Sequence, residues 1–305
     1  MDLRQLRYFI AIVEEGSITA AAQRLNVAQP ALSHHLRNLE KDLGVRLLVR
    51  GAHGVRPTAA GTRLYEHAVV IHRHVSQAQN DVRGYADEPQ GAVAVGLPAS
   101  VALVLAVPLV EAVSRRLPRV SLRILEGMSG SILEWLNNGR LDLALLYDVA
   151  HQKTLATEPL LTEDLHLVGP AGSGGTDIPF QAVAALPLVM PGRPHGLREH
   201  LERAARDQGV GLNVRVEIDG LPQIKTLVGR GAGFAVLSLS AVGEECRRGE
   251  LAARRIVDPT LARTVSLNAS KGRPPNDAAD AVRSLLYTVM RDLVANDTWP
   301  GEALF

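Results

Sequence analysis

The apolar positions near the N-terminus fall at helical spacing and are interrupted at short intervals. Leu3, Leu6, Ile10 and Val13 predict an opening helix with one apolar face, closed by Gly16. Ser17 suits the N-cap of a second helix from Ile18, because its hydroxyl can accept a hydrogen bond from an N–H that has no intrahelical partner. That helix carries the small residues Ala21 and Ala22 together with Leu25, which let another helix approach closely, and it stops near Asn26 and Val27. A third helix opens at Gln29-Pro30, where proline is tolerated in the first turn. Its inward face is Leu32, Leu36, Leu39 and Leu43, at steps of four, three and four. Ser17 to Gly44 therefore outlines two short helices joined by a tight turn, a helix-turn-helix.

The outward face of the third helix holds Pro30, His34, Arg37, Asn38 and Lys41, with Gln29 and Ser33 on its flank. These types suit a DNA groove, since Gln and Asn pair bidentately with adenine, Arg with guanine, and Ser with phosphate. An ordinary amphipathic surface helix has the same outline, so the residues around it carry the argument further. After Gly44, the basic Arg46, Arg50, His53 and Arg56 alternate with Val45, Leu47, Leu48 and Val55 around Gly51 and Gly54. This predicts a short β-hairpin wing whose cations follow a phosphate backbone.

From about Thr58 to Asp87 the pattern changes to one long helix. Leu64, Ala68, Ile71, Val75, Ala78, Val82 and Tyr85 alternate steps of four and three, an a/d seam over three heptads flanked by Arg63, Glu66, Arg73, Gln77, Gln79 and Arg83. Burial in the chain's own core would also explain an apolar stripe, but one this narrow fits a two-stranded coiled coil better. At 1.5 Å per residue the helix spans roughly 45 Å. Dimerisation through it would space two reading helices on a target with dyad symmetry.

Beyond the polar break Asp87-Glu88-Pro89 the chain alternates strand and helix, which predicts an α/β domain with a mostly parallel sheet. Expected are strands at Ala92–Leu97, Val120–Glu126 and Leu141–Tyr147, with helices at Ser100–Arg116 and Ser131–Asn138. A second set follows: strands at Leu165–Val168, Leu186–Met190, Val214–Ile218 and Phe234–Ser238, with helices at Leu197–Gln208 and Leu221–Gly229. The chain returns through Thr264–Ala269 and ends in a helix near Asp277–Ala295. Two lobes joined by two crossings leave a cleft suited to a small ligand.

Four helices would start at that cleft, at Pro98-Ala99-Ser100, Ser129-Gly130-Ser131, His195-Gly196 and Gly220-Leu221-Pro222. Their free N–H groups and positive dipole ends, with Arg193 beside them, point to a small anionic effector held by Pro98, Ser100, Ser129, Gly130, Arg193, His195 and Gly220. Simple helix capping is the alternative role for each of these residues.

Composition narrows the classes. At 305 residues, 46% hydrophobic and 21% charged, the chain reads as two or three globular units. The net charge is only +1, yet residues 1–60 carry eight Lys/Arg against five Asp/Glu, which leaves the remainder slightly acidic. The longest apolar run, Val101–Val110, has ten residues and contains Pro108, too short for a bilayer span of roughly 20 residues. MDLRQLRYF lacks the apolar stretch of a signal peptide, so a cytoplasmic protein without a membrane partner is expected. Cys246 is the single cysteine, which excludes an internal disulfide and a thiolate metal cluster. No metal and no cofactor are expected, and no catalytic set stands out. Gly127-Met128-Ser129-Gly130 is not a nucleophile elbow because residue 131 is Ser, and Gly229-Arg230-Gly231-Ala232-Gly233 precedes a strand instead of a helix. His67, His72 and His74 do not share a helix face.

Taken together, Phe9, Gly16-Ser17, Ala21-Ala22, Leu25, Gln29-Pro30-Ala31-Leu32-Ser33, Leu39-Glu40, Leu43-Gly44, Leu47, Arg50, Pro57-Thr58 and Gly61 resemble the LysR-type bacterial transcriptional regulators. Gly139, Leu141-Asp142-Leu143-Ala144, Gly231 and Gly233 extend the likeness over nearly the whole chain. Gly54-Val55-Arg56-Pro57-Thr58, Pro159-Leu160-Leu161, Glu163-Asp164-Leu165, Leu167-Val168-Gly169 and Val265 to Ser270 look most like the branch concerned with nitrogen assimilation control. The chain departs from the family at Ala28, where Ser is usual, at Leu48, where Phe is common, and at His34-His35, where Arg or Gln is usual.

The resemblance implies an α/β protein with an all-α N-terminal part. Its pieces would be a winged helix-turn-helix domain over 1–57, a long dimerisation linker helix over 58–89, and a two-lobed, periplasmic-binding-protein-like effector domain over 90–305. The lobes would be 90–162 with 264–305, and 163–263. It implies a sequence-specific regulator, not an enzyme, that binds promoter DNA through Ser17, Gln29, Pro30, Ser33, His34, Arg37, Asn38, Arg50, His53 and Arg56. Its partners would be promoter DNA, itself as a homodimer and homotetramer, RNA polymerase and a small effector that shifts the DNA bend. Nitrogen or amino-acid metabolism is the expected setting, with a catabolic operon for aromatic or other carboxylates as the alternative. A two-lobed binding receptor or an enzyme is the alternative from another class.

Overall fold

Helix α1 (Leu3–Glu15) begins at a capping box, in which Asp2 Oδ1 accepts from Gln5 N and Gln5 Oε1 accepts from Asp2 N, both at 2.8 Å. It ends on Gly16 in the left-handed region at φ 60°, a conformation that favours glycine. Ser17 caps α2 (Ile18–Leu25), its Oγ accepting from Ala20 N at 3.3 Å, and Asn26 closes that helix at φ 53°. Helix α3 (Gln29–Leu43) starts after Ala28, which supplies no side-chain cap, and stops at Gly44. The wing is the antiparallel pair β1 (Leu48–Gly51) and β2 (Gly54–Pro57), with Val49 opposite Arg56. Helix α4 (Ala59–Arg83) follows Thr58, whose hydroxyl accepts from Gly61 N at 3.0 Å.

The structure is a computed structural model that describes residues 1–51, 54–83, 88–148, 152–272 and 276–305, without the side chains of Arg50, Arg73 and residues 76, 77 and 79–83. It falls into two units, Met1–Asp87 and Glu88–Phe305. Phe9, Ile12, Ala21, Ala22, Leu32, Leu36, Leu39 and Leu47 form the core of the first. The α1 stripe read from the sequence is corrected here. Leu6, Phe9 and Ile12 are buried while Leu3 is exposed, because α1 is apolar on several sides and the approach of α2 and α3 selects the face. Leu43, at the last turn of α3, is also exposed.

The second unit opens with β3 (Gly91–Leu97), α5 (Ala99–Arg116), β4 (Val120–Glu126), α6 (Ser129–Asn137) and β5 (Leu143–Tyr147). Next come β6 (Leu155–Pro170), β7 (Ile178–Pro179), α7 (Phe180–Ala185), β8 (Leu188–Met190), α8 (Gly196–Asp207), β9 (Val214–Glu217), α9 (Leu221–Gly229) and β10 (Ala235–Ser238). The chain closes with α10 (Leu239–Arg247), β11 (Leu251–Val257), β12 (Ala262–Ser270), α11 (Asp277–Ala295) and β13 (Glu302–Ala303).

The main sheet runs β4-β3-β5-β12-β6-β11-β7, with β10 and β13 also paired to β6. It is mixed, not mostly parallel. The β3–β4 and β3–β5 pairs are parallel, whereas β12 and β6 run antiparallel to their neighbours because they carry the chain across between lobes. The separate β8–β9 pair is parallel. The 16-residue β6 serves both lobes, pairing with β12 along its first half and with β10 and β11 along its second. Val95, Leu97, Leu105, Leu109, Val282, Leu286 and Trp299 anchor one core, and Leu167, Phe180, Leu188, Leu201, Val228 and Val242 anchor the other. The family landmarks have local causes. Asp142 Oδ2 accepts from Ala94 N at 2.8 Å, and a Cβ on Gly233 would meet Pro187 O at 2.5 Å. Among the described residues no helix is long and apolar enough to cross a membrane.

Candidate nucleic-acid interface and interlobe cleft

The reading face of α3 follows from what its other face buries. Leu32, Leu36 and Leu39 lie against α1 and α2, so Gln29, Pro30, His34, Arg37 and Lys41 stand exposed and Asn38 half-exposed. Two of the polar side chains are pre-set by bonds one turn apart. Gln29 Nε2 donates to Ser33 Oγ at 3.1 Å, and Asn38 Nδ2 lies 3.1 Å from His34 Nε2. Such pairing reduces the side-chain freedom lost on contact with a base edge. Ser33, read as a flanking phosphate ligand, is instead buried and engaged by Gln29. His35 turns the other way, meeting the Tyr8 ring edge-on at 5.1 Å.

The wing is fixed against the helices by close backbone approaches. Val55 N donates to Gly16 O at 2.8 Å, and a Cβ on Gly54, at φ 114°, would sit 2.3 Å from that oxygen. Thr58 Oγ1 donates to Arg46 O at 2.8 Å, and a Cβ on Gly61 would be 2.0 Å from Leu47 O. Arg56 projects into solvent from β2. His53, and Tyr85 of the expected seam, lie outside the described residues, as do the side chains of Arg50, of the seam residue Val82 and of its flanking Arg83. Along the rest of that seam Leu64 is half-buried and Ala68 buried, whereas Ile71 is 36% exposed and Ala78 exposed.

In the second unit the helix starts expected at the cleft are present. Pro98, Met128, His195 and Gly220 occupy the N-caps of α5, α6, α8 and α9, and Ser129-Gly130 begin α6. Only His195 caps with its side chain, Nδ1 accepting from Leu197 N at 3.2 Å. Burial lowers the His195 pKa, and the Arg263 charge pushes in the same direction. Arg193 is held on the exposed flank by Glu202, with NH2 to Oε1 at 2.7 Å. Ser100 faces inward, where its Oγ is 3.0 Å from Tyr147 Oη and accepts from Arg263 NH2 at 3.2 Å.

The centre of this region was not anticipated from the sequence. Arg263 on β12 pairs in register with Glu163 on β6, NH2 to Oε1 at 2.7 Å, with both side chains buried. The guanidinium lies 3.6 Å from the Tyr147 ring centroid. Burial works against the Glu163 carboxylate, but Arg263 and the donors Trp299 and Ser240 outweigh it and hold its pKa below the ordinary value. Burial is also the main cause that raises the Tyr147 phenol. A signal was present in the alternation, since Glu163 falls between Leu161 and Leu165, and Arg263 between Leu261 and Val265, each on the buried parity of its strand.

Comparison with known proteins agrees with this geometry. Residues 3–62 match the model described as "Bacterial regulatory helix-turn-helix protein, lysR family", and residues 86–291 match "LysR substrate binding domain". The chain is 34% identical to the nitrogen assimilation regulatory protein nac of Klebsiella aerogenes over 95% of each chain. It is 33% identical, with the same coverage, to the protein of that name in Escherichia coli K12. Its fold is like that of full-length CbnR solved in complex with target DNA, with a TM-score of 0.71, 23% identity and coverage of 96% of this chain and 99% of that one. The family and the branch resemblance read from the sequence are borne out.

Proposed function

The chain belongs to the LysR family and is a DNA-binding regulator of transcription, and from that premise we propose that it reads interrupted dyad sites in promoters with the outward face of α3. The carrying observation is the division of α3, with Leu32, Leu36 and Leu39 buried and Gln29, His34 and Arg37 exposed, as is the wing residue Arg56. In this reading Gln29, Pro30, His34, Arg37 and Asn38 meet base edges. Ser17, Arg50, His53 and Arg56 position the backbone contacts, and Ser33 holds the Gln29 side chain. Two chains join through residues 58–89, and two dimers form a homotetramer in the cytoplasm. The likeness to nitrogen assimilation regulators supports a regulon in nitrogen or amino-acid metabolism.

The cleft between the lobes takes a small anionic effector in this reading, at Pro98, Ser129, Gly130, Arg193, His195 and Gly220, while Ser100, expected in the same set, is engaged by Tyr147 and Arg263. What favours it is that α6 and α9 begin without a side-chain cap, which leaves first-turn N–H groups for a ligand. Immunoprecipitation of the protein from its host, followed by sequencing of the recovered DNA, tests the whole reading. A shared interrupted dyad among the recovered promoters is expected, and recovery of DNA without a common site would overturn it.

A further inference from the structure

Strands β6 and β12 are the two segments that carry the chain between lobes, and each places a charge at the crossing. The Glu163 carboxylate, 1% exposed, has both oxygens filled. Oε1 accepts from Tyr147 Oη at 2.9 Å and from Arg263 Nε at 2.9 Å, and Oε2 accepts from Ser240 Oγ at 2.8 Å and Trp299 Nε1 at 2.9 Å. These donors come from both sides. Tyr147 ends β5 and Trp299 follows α11 in one lobe, while Ser240 lies in the first turn of α10 in the other. Arg263 repeats the span, donating to Ser100 Oγ of α5 at 3.2 Å and to Ser238 Oγ, at the N-cap of α10, at 3.0 Å.

A guanidinium, an indole N–H, two hydroxyl donors and the first turn of a helix around one carboxylate are what a small free carboxylate would need for tight binding. Here the carboxylate is the chain's own. We propose that Arg263, Tyr147, Ser240 and Trp299 form a site for a small monocarboxylate which Glu163 permanently occupies, so that the side chain acts as a resident ligand holding the two lobes in one arrangement. This shares the two-lobed domain with the reading above, but it rests on neither the operator nor the effector placed at the helix starts.

The test is a vacancy. Glu163→Ala in the full chain removes a group the size of acetate and leaves Arg263 buried without its anion, which is strongly destabilising. In sodium chloride its Tm is expected to fall by about 10 °C. Sodium acetate at about 100 mM, matched in ionic strength with chloride, is expected to restore about a third or more of that loss in a saturable way. The wild-type protein and Glu163→Gln, which leaves no space, should respond to the two salts alike. Amide exchange in the first turns of α5 and α10 should quicken in the Ala variant and slow again with acetate. An equal response of Glu163→Ala to acetate and chloride would overturn the proposal. So would a wild-type gain in acetate as large as the variant's. If the Ala variant does not fold in chloride, its refolding yield becomes the readout: recovery in acetate alone supports the site, and failure in both salts overturns it.

Discussion

The Glu40 carboxylate at the end of α3 accepts the backbone N–H of Leu47 at 2.8 Å, and that of Leu48 at 3.3 Å through the same oxygen. Its other oxygen is 3.7 Å from Arg46 NH1. One side chain thus ties the reading helix to the strand that leads into the wing, and the carboxylate is mostly shielded from solvent. Glu40→Ala is expected to cost about 1–3 kcal/mol of stability in the N-terminal unit, since it leaves two backbone donors without their acceptor. Chemical denaturation of the full chain checks this, and a loss confined to operator affinity, with stability unchanged, would show that the bond does not brace the wing.

Arg37 and Arg56 present the same charge from different elements, α3 and the wing strand β2. Arg37→Ala should weaken operator binding by about 1–3 kcal/mol and relax base preference at one position of each half-site. Arg56→Ala should instead weaken specific and non-specific DNA alike, and lower the salt slope by about one. Fluorescence anisotropy against operator and scrambled duplexes over a salt series separates the two. Equal, salt-only effects would mean that α3 does not read bases.

Much of the architecture was legible because apolar spacing and caps agreed locally. The bounds of α3, α9, α11 and β4 coincide with the sequence reading, where Gly44, Pro222 and Asn276 mark helix ends. The misses share one cause. The α1 face depends on which helices approach it, and α7, α10 and β11 are short elements stabilised by the second core and not by their own pattern. The strand expected from Leu165 begins ten residues earlier, so that Glu163 and Asp164 lie inside β6. Glu163 is tolerated there only because Arg263, a hundred residues later, arrives opposite it. In the DNA-facing part, the signature residues Gly16, Ser17, Thr58 and Gly61 each meet a backbone group that the sequence pattern cannot show.

Acid should destabilise the second unit in two stages. Burial lowers the pKa of both His166 and His195 below the ordinary 6.5, with Arg263 adding to the effect at His195, so the unfolded chain binds more protons there. Their contribution is complete above pH 6.5 and declines as pH falls below it. The Glu163 carboxylate, whose donors overcome the penalty of burial, is held below the ordinary 4.5, so its contribution persists above that value and is lost as pH falls through the lower folded one. Thermal unfolding from pH 8 to pH 3 should therefore show two declines, roughly in the windows these groups set. His195→Asn should flatten the upper decline and Glu163→Gln the lower one. A profile unchanged by either substitution would remove these groups as its source.

The exposed half of α4 carries the last expectation. Leu64 and Ala68 are covered by the unit's own core, but Ile71 is 36% exposed and Ala78 is exposed on the same seam. An isolated helix of this length gains little from exposing β-branched and small apolar residues to water, whereas a second copy would bury them at a and d positions. Ile71→Asp puts two charges into that seam in a dimer, one from each chain. It should raise the dimer dissociation constant by roughly 100-fold, about 3 kcal/mol, while leaving the helix-turn-helix core intact. Because a dyad operator rewards simultaneous contact with both half-sites, operator affinity should fall far more than affinity for a single half-site. Sedimentation velocity and gel-shift titration on full and half operators measure both quantities. An Ile71→Asp protein that stays dimeric at micromolar concentration would place the dimer contact elsewhere in the chain.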